Sequence, residues 1–221
     1  SIWTRRCFWS TSTRWRGSKK SWRTSIRYRS APSPESRSRT PGGALGNPRG
    51  SLRIRELEVG DANKYRALRL RALEEHPTAF SSSYEQERDR PVSIFAERLS
   101  SSFDSPDTFI FGCFVAGLLV GTVGLYREES AKVVHRAVIW GMHIAAEHQG
   151  KGYGRALLVA LLERARQMPG LELIRLSVES TNGPAMSLYA SQGFETYGVE
   201  RRALFVGGEY FDEERMALEL E

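Results

Sequence analysis

The chain has 221 residues, 40 % hydrophobic and 26 % charged, an ordinary globular balance in which no run approaches the ~18 apolar residues of a membrane helix. Cys7 and Cys113 are its only cysteines. They exclude a disulfide framework and a paired-cysteine metal site, and they point to a reducing, cytoplasmic compartment with no membrane partner. The net charge of +6 suggests nucleic acid until it is divided along the chain: residues 1 to 50 hold 12 of the 32 Lys and Arg but only Glu35 of the 26 acids, a charge of +11, so the remaining 171 residues carry −5.

Residues 1–50 and 51–221 follow different patterns. The first segment is Ser, Arg and Trp without period, then a run rich in Pro and Gly from Ala31 to Gly50. Too little apolar area is available there to offset chain entropy, which is the composition of disorder. Three readings stand side by side: an organelle transit peptide, a basic arm with Trp3, Trp9, Trp15 and Trp22 interleaved for single-stranded nucleic acid, and a segment foreign to the natural protein.

From Leu52 the periodicity is that of a folded domain. Leu52 to Leu57 alternates as a strand. Asp61 is placed to cap a helix running to His76, with Tyr65, Leu68 and Ala72 on one face. Pro77 ends that helix, and Pro91 opens another through Leu99. Phe109–Val115, the Ala116-Gly117 turn and Leu118–Tyr126 form a hairpin. Lys132 to Ile144 reads as a long strand, followed by a glycine cluster and a helix from Gly152 to Met168. Leu171–Glu179 is the next strand. Asn182 caps a short helix that begins at Pro184 and ends near Gln192, with Gly193 as its C-terminal glycine. Strands Phe194–Val206 and Tyr210–Leu220 close the chain around Gly207-Gly208. The order β-α-α-β-β-β-α-β-α-β-β predicts an α/β domain with a mixed sheet.

The strongest local signal is Gln149-Gly150-Lys151-Gly152-Tyr153-Gly154, between a strand and a helix. Glycines there let backbone approach a ligand, and the free N–H groups of the helix start suit a pyrophosphate. A dinucleotide-binding Gly-x-Gly-x-x-Gly would need its third glycine at Arg155, and no Gly-x-x-x-x-Gly-Lys-[Ser/Thr] run is present. The plain alternative is a strand-to-helix turn that favours glycine.

Here the sequence resembles the GNAT superfamily of N-acetyltransferases, over essentially all of 51–221. Gln149-x-x-Gly152-x-Gly154 matches the family's [QR]-x-x-G-x-[GA] signature, and Asn182 to Glu195 is similar to its N-x-x-A-x-x-x-Y-x-x-x-G-F segment. The resemblance implies a GNAT-type mixed, mostly antiparallel sheet flanked by helices, and acetyl-CoA as cosubstrate. It implies that backbone N–H groups of Gly150, Lys151, Gly152, Tyr153, Gly154 and Arg155, after Gln149, hold the pyrophosphate. Gly152 and Gly154 are expected to be glycine because a side chain there would block the ligand. Met142, His143 and Ile144 would pair with the pantetheine arm where two strands splay, and Asn182 would contact the cofactor or serve as a plain N-cap.

Such chemistry needs a deprotonated amine that attacks the thioester directly in a ternary complex, and a proton donor for the departing thiolate. Tyr189 is the candidate donor, with packing on Leu188 as the alternative. Glu179 and His143 are candidate bases, with a lining role or a water relay as alternatives. No metal is expected, since His76, His135 and His148 lack ligand spacing, and Cys113 reads as an inert buried thiol.

The acceptor, an amine on a small molecule or protein, would be selected by Arg69–Tyr84 and Phe205–Phe211. Glu74, Glu75, Glu85 and Glu87 would form a mildly acidic rim that attracts cationic amines. Family members often dimerise, and the sequence leaves that state open. Nucleic acid is not an expected partner of the domain. Two readings of another class remain: an acyl-CoA sensor without turnover, and a nucleic-acid binder acting through the basic arm.

Overall fold

The computed structural model describes residues 51–104 and 107–220, with side chains outside 101–106. The three readings of residues 1–50 lie outside the described residues. Seven strands form one sheet in the order β1-β2-β3-β4-β5-β7-β6: β1 Leu52–Glu56, β2 Thr108–Val115, β3 Leu118–Arg127, β4 Arg136–Ile144, β5 Leu173–Glu179, β6 Glu195–Val206 and β7 Glu209–Glu219. Every neighbouring pair is antiparallel except β4 and β5. The helices are α1 Ala62–Glu75, α2 Tyr84–Glu87, α3 Val92–Asp104, α4 Tyr153–Ala165 and α5 Gly183–Ala190.

Local chemistry accounts for the turns. Ala116 and Gly117 have φ of 51° and 82°, and Gly207 and Gly208 have 60° and 91°. Two successive positive φ values make the mirror-image turn whose twist matches the flanking strands, so both hairpins close tightly. The strand expected from Lys132 begins instead at Arg136, because the preceding residues make turn bonds from Val133 N–H to the Ser130 carbonyl and from Arg136 N–H to the Val133 carbonyl. Asp61 does not cap α1. Its carboxylate accepts from Arg55 at 2.6 and 2.9 Å and from the Glu58 N–H at 3.0 Å, which closes the turn before the helix.

The sheet is sandwiched between two cores. On one face α4 buries Leu157, Leu158, Leu161 and Leu162 against Phe109, Val123, Ile139 and Ile174, with Tyr189 and Phe194 at its margin. Full burial of each such leucine is worth roughly 2 kcal/mol. On the other face Tyr65 and Leu68 of α1 and Phe95 and Leu99 of α3 pack on Leu57, Ile110 and Phe114. No helix among the described residues is long and apolar enough to cross a membrane.

Candidate active site

Strands β4 and β5 pair only at Arg136, Ala137 and Val138 with Leu173, Ile174 and Arg175. Beyond that point β4 runs on to Ile144 and β5 to Glu179 without pairing, so a gap opens in the middle of the sheet with a bare β4 edge.

A bulge sets what β4 shows to each face. Thr122 and Gly124 of β3 oppose His143 and Trp140, so Gly141 and Met142 together face one β3 residue, and Gly141 has φ +63°. Strict alternation from Ala137 and Ile139 would put His143 on the α4 side. The inserted residue reverses the phase: Met142 and Ile144 join the α4 core, while the His143 ring meets His76 at 5.6 Å and Phe80 at 6.5 Å on the α1 side.

The glycine loop follows directly. Gly150 and Gly152 have φ of +70° and +80°, a region that L side chains avoid. A Cβ at either would touch no protein atom, so the backbone angle, and not crowding within the chain, fixes these glycines. Among the described residues, the N–H groups of Gly150 to Arg155 donate no backbone–backbone bond; the next, Ala156 N–H, reaches the Gly152 carbonyl at 3.0 Å. They form the positive end of the α4 dipole. Gly154 differs from Gly152: its φ is not left-handed, and a Cβ there would meet Leu188, Ile144 and Met142 at an ordinary 3.5–3.6 Å. The start of α4, the end of β4 and α5 thus lie close together at Gly154.

Two loop side chains brace the turn. Gln149 Nε2 donates to the Ile144 carbonyl at 2.9 Å, and Lys151 Nζ to the Glu147 carbonyl at 2.7 Å. Arg71 of α1 forks onto Glu147 at 2.8 and 2.6 Å and holds its carboxyl down at about 2, tying α1 to the entrance of the loop.

The remaining candidates separate by environment. Glu179 is buried and accepts from Thr181 N–H at 2.8 Å and Thr181 Oγ1 at 2.7 Å, so its carboxylate closes the turn into α5. Asn182 Oδ1 accepts from Ala185 N–H at 3.2 Å, the plain N-cap. Tyr189 packs edge-on to Phe194 at 5.8 Å, and burial pushes its phenol well above the usual range. His143 is 7 % exposed and its Nε2 has no protein partner. Burial, then the neighbouring His76, pushes it down to about 4, so the ring is neutral. Burial likewise raises Cys113 to about 11, an inert thiol. Among the described residues, no group of three His, Cys, Asp or Glu is placed to hold a metal ion.

The expected acidic rim is not formed as the sequence suggested. Glu87 is 2 % exposed and bonded by Arg98 at 3.0 Å, and Glu75 pairs with Arg71 at 2.7 Å, which leaves Glu74 and Glu85 as exposed acids without such a partner. Arg69, His76 and Phe80 lie inside the Arg69–Tyr84 stretch expected to select the acceptor, but the sequence did not single them out as the residues that meet around His143. For Arg69 a signal existed: it lies four residues after Tyr65 and three before Ala72, inside the apolar stripe of α1.

Comparison with known proteins places this chain in a family. The family model described as "Acetyltransferase (GNAT) family" matches residues 69–194, more than half the chain. The chain belongs to the GNAT acetyltransferase family. A spermidine N(1)-acetyltransferase from Vibrio cholerae is 34 % identical over 94 residues, covering 42 % of this chain and 54 % of that protein. The N-alpha-acetyltransferase RimI of Mycobacterium tuberculosis is 34 % identical over 118 residues, covering 53 % and 69 %. The chain thus spans about half the length of the first relative. The structure of yncA, a putative acetyltransferase from Salmonella typhimurium with its cofactor acetyl-CoA, superposes with a TM-score of 0.69 at 20 % identity, over 77 % of this GNAT chain and 95 % of that one. At that identity it shows the fold alone.

Proposed function

We propose that the domain transfers an acetyl group from acetyl-CoA to a primary amine, the two being bound together across the β4–β5 gap. The observation that carries this is the three-residue pairing of β4 with β5, which leaves an unpaired strand edge leading to the free N–H groups of the loop. The residues present fit the donor: the N–H groups of Gly150 to Arg155 suit a pyrophosphate, and the β4 edge at Met142–Ile144 suits the amides of a pantetheine arm. When bound, acetyl-CoA supplies an acyl group activated as a thioester.

The chain's own residues then manage protons. His143, neutral and with Nε2 unpartnered, accepts a hydrogen bond from the incoming amine on the α1 side. Its low basicity suits a positioning and relay role with water more than full proton abstraction. Tyr189, kept protonated by burial, donates on the α4 side, next to Leu188 at the loop. Glu179 and Asn182 hold the start of α5 and thereby the place of Tyr189. The relatives carry different acceptor names, so they support acyl transfer and not one acceptor.

Calorimetry of acetyl-CoA with the full chain, beside Gly152→Glu, tests the donor site, and thiol release with an amine panel tests transfer. Binding by the parent, loss in the variant and release with any amine are the expected results. A folded parent that ignores acetyl-CoA would end the proposal. Tight donor binding with no release across the panel would favour a non-catalytic sensor.

A further inference from the structure

Helix α1 buries Tyr65, Arg69 and Ala72, spaced four and three apart, and His76 follows directly after its last residue. Arg69 is the misfit in that stripe. It is 8 % exposed, and a buried guanidinium is costly unless its charge and its N–H groups are met. Its one ion pair is from Nη2 to Glu87 at 3.5 Å, and Glu87 already holds Arg98 at the shorter 3.0 Å. Two guanidiniums therefore share one buried carboxylate. Arg69 Nε and Nη1 are buried with no protein partner, which leaves one N–H on the first and two on the second unspent.

These donors lie on the acceptor side of the gap. The Phe80 ring covers the Arg69 guanidinium at 4.7 Å and meets His143 edge-on at 6.5 Å. His76, whose Nε2 is likewise buried without a partner, stands 5.6 Å from His143. The turn Pro77–Ala79 between them packs toward β5 and β6, so it bridges the gap from the α1 side. At the β4 edge His143 thus meets His76 and Phe80, and Phe80 in turn covers a cation with free donors.

We propose that the amine acceptor carries a carboxylate, seated on Arg69 with His76 as second donor, several ångströms from the amine held at His143. This deepens the acyl-transfer reading and rests on it for the position of the amine. The unspent Nε and Nη1 donors of Arg69 form a planar fork that suits a planar carboxylate. With Glu75 and Glu87 engaged by arginines, the site lacks the ring of free acids a polyamine needs.

The test uses the full chain, with and without CoA. Amino acids from glycine to 6-aminohexanoate are each compared with their carboxamide, as N-acetyl products in calorimetry and as free amines in thiol release, with spermidine alongside. At one chain length the acid is expected to bind and react at least about tenfold better than its amide. Arg69→Gln is expected to erase that preference and leave acetyl-CoA affinity unchanged; should it fail to fold, Arg69→Lys, which keeps the charge but loses the fork, is expected to lower the acid–amide ratio several-fold, and a wild-type ratio in it would overturn the site. Acid and amide bound alike at every length, or spermidine preferred, would overturn the carboxylate site while leaving acyl transfer standing. An acid preference that persists in a protein unable to bind acetyl-CoA would overturn the donor reading and leave the carboxylate site.

Discussion

At the scale of single residues, the two motif glycines are not equivalent. Gly152→Ala forces an L side chain to φ +80° and is expected to cost about 1–2 kcal/mol in chemical denaturation, along with acetyl-CoA affinity in calorimetry. Gly154→Ala makes only ordinary contacts within the protein and is expected to leave stability within about 0.5 kcal/mol, so a loss of acetyl-CoA affinity in that variant would report the ligand's approach and not the fold. Tyr189→Phe preserves the packing on Phe194, so its melting temperature should hold. If the phenol is the proton donor, kcat falls about 100-fold or more with the KM for acetyl-CoA unchanged; an unaltered kcat would remove it from the mechanism. His143 gives a signed pH effect. Its folded pKa, about 4, lies below the ~6.5 of an unfolded chain, so the unfolded state takes up the proton first as pH falls. Its contribution is whole above about 6.5 and is lost as pH drops toward 4, by roughly 3 kcal/mol, and urea titrations of His143→Asn should lack that loss. The acid limb of kcat/KM should likewise fall near pH 4 and not near 6.5.

At the scale of elements, α2 is held by charge. Burial works to raise the Glu87 carboxyl, but the bond from Arg98 and the charges of Arg69 and Arg98 keep it below the usual range. Glu87→Ala strands the buried Arg69 guanidinium and removes a partner of the half-buried Arg98, and is expected to cost about 3 kcal/mol in chemical denaturation, more than an exposed pair. This four-residue helix was invisible in sequence because it has no periodicity to read, only a Ser83 cap and Gln86 three residues on. The long strands, the hairpin turns and α4 were legible, since burial imposes period on their residues. Asp61 was misread because an acid before a helix has two competing uses, and Arg55 six residues earlier takes it. The phase of His143 was illegible for a related reason: one glycine in a strand shifts every later residue to the opposite face, and sequence shows the glycine but not its φ.

At the scale of the molecule, the glycine loop before α4 was legible because the rules of glycine turns and helix starts are local. The cluster of Arg69, His76 and Phe80 around His143 was legible only as the stretch Arg69–Tyr84, since these side chains meet only through tertiary packing. The brief pairing of β4 with β5 has a further consequence. The sheet is mechanically two plates, one of four strands and one of three, sharing a seam of three residue pairs. What bonds the plates is chiefly α4, whose leucines share a core with Ile139 on one plate and with Ile174, Leu176 and Met216 on the other. That adhesive is apolar contact and not a hydrogen-bonded ladder, and apolar contact weakens on cooling. Amide hydrogen exchange in β5 and β7 is therefore expected to gain on that in β2 and β3 as the temperature is lowered from about 25 to 5 °C, and bound acetyl-CoA, by stitching the bare edge, should suppress the difference. The protein is, in this sense, a hinge that grips better when warm.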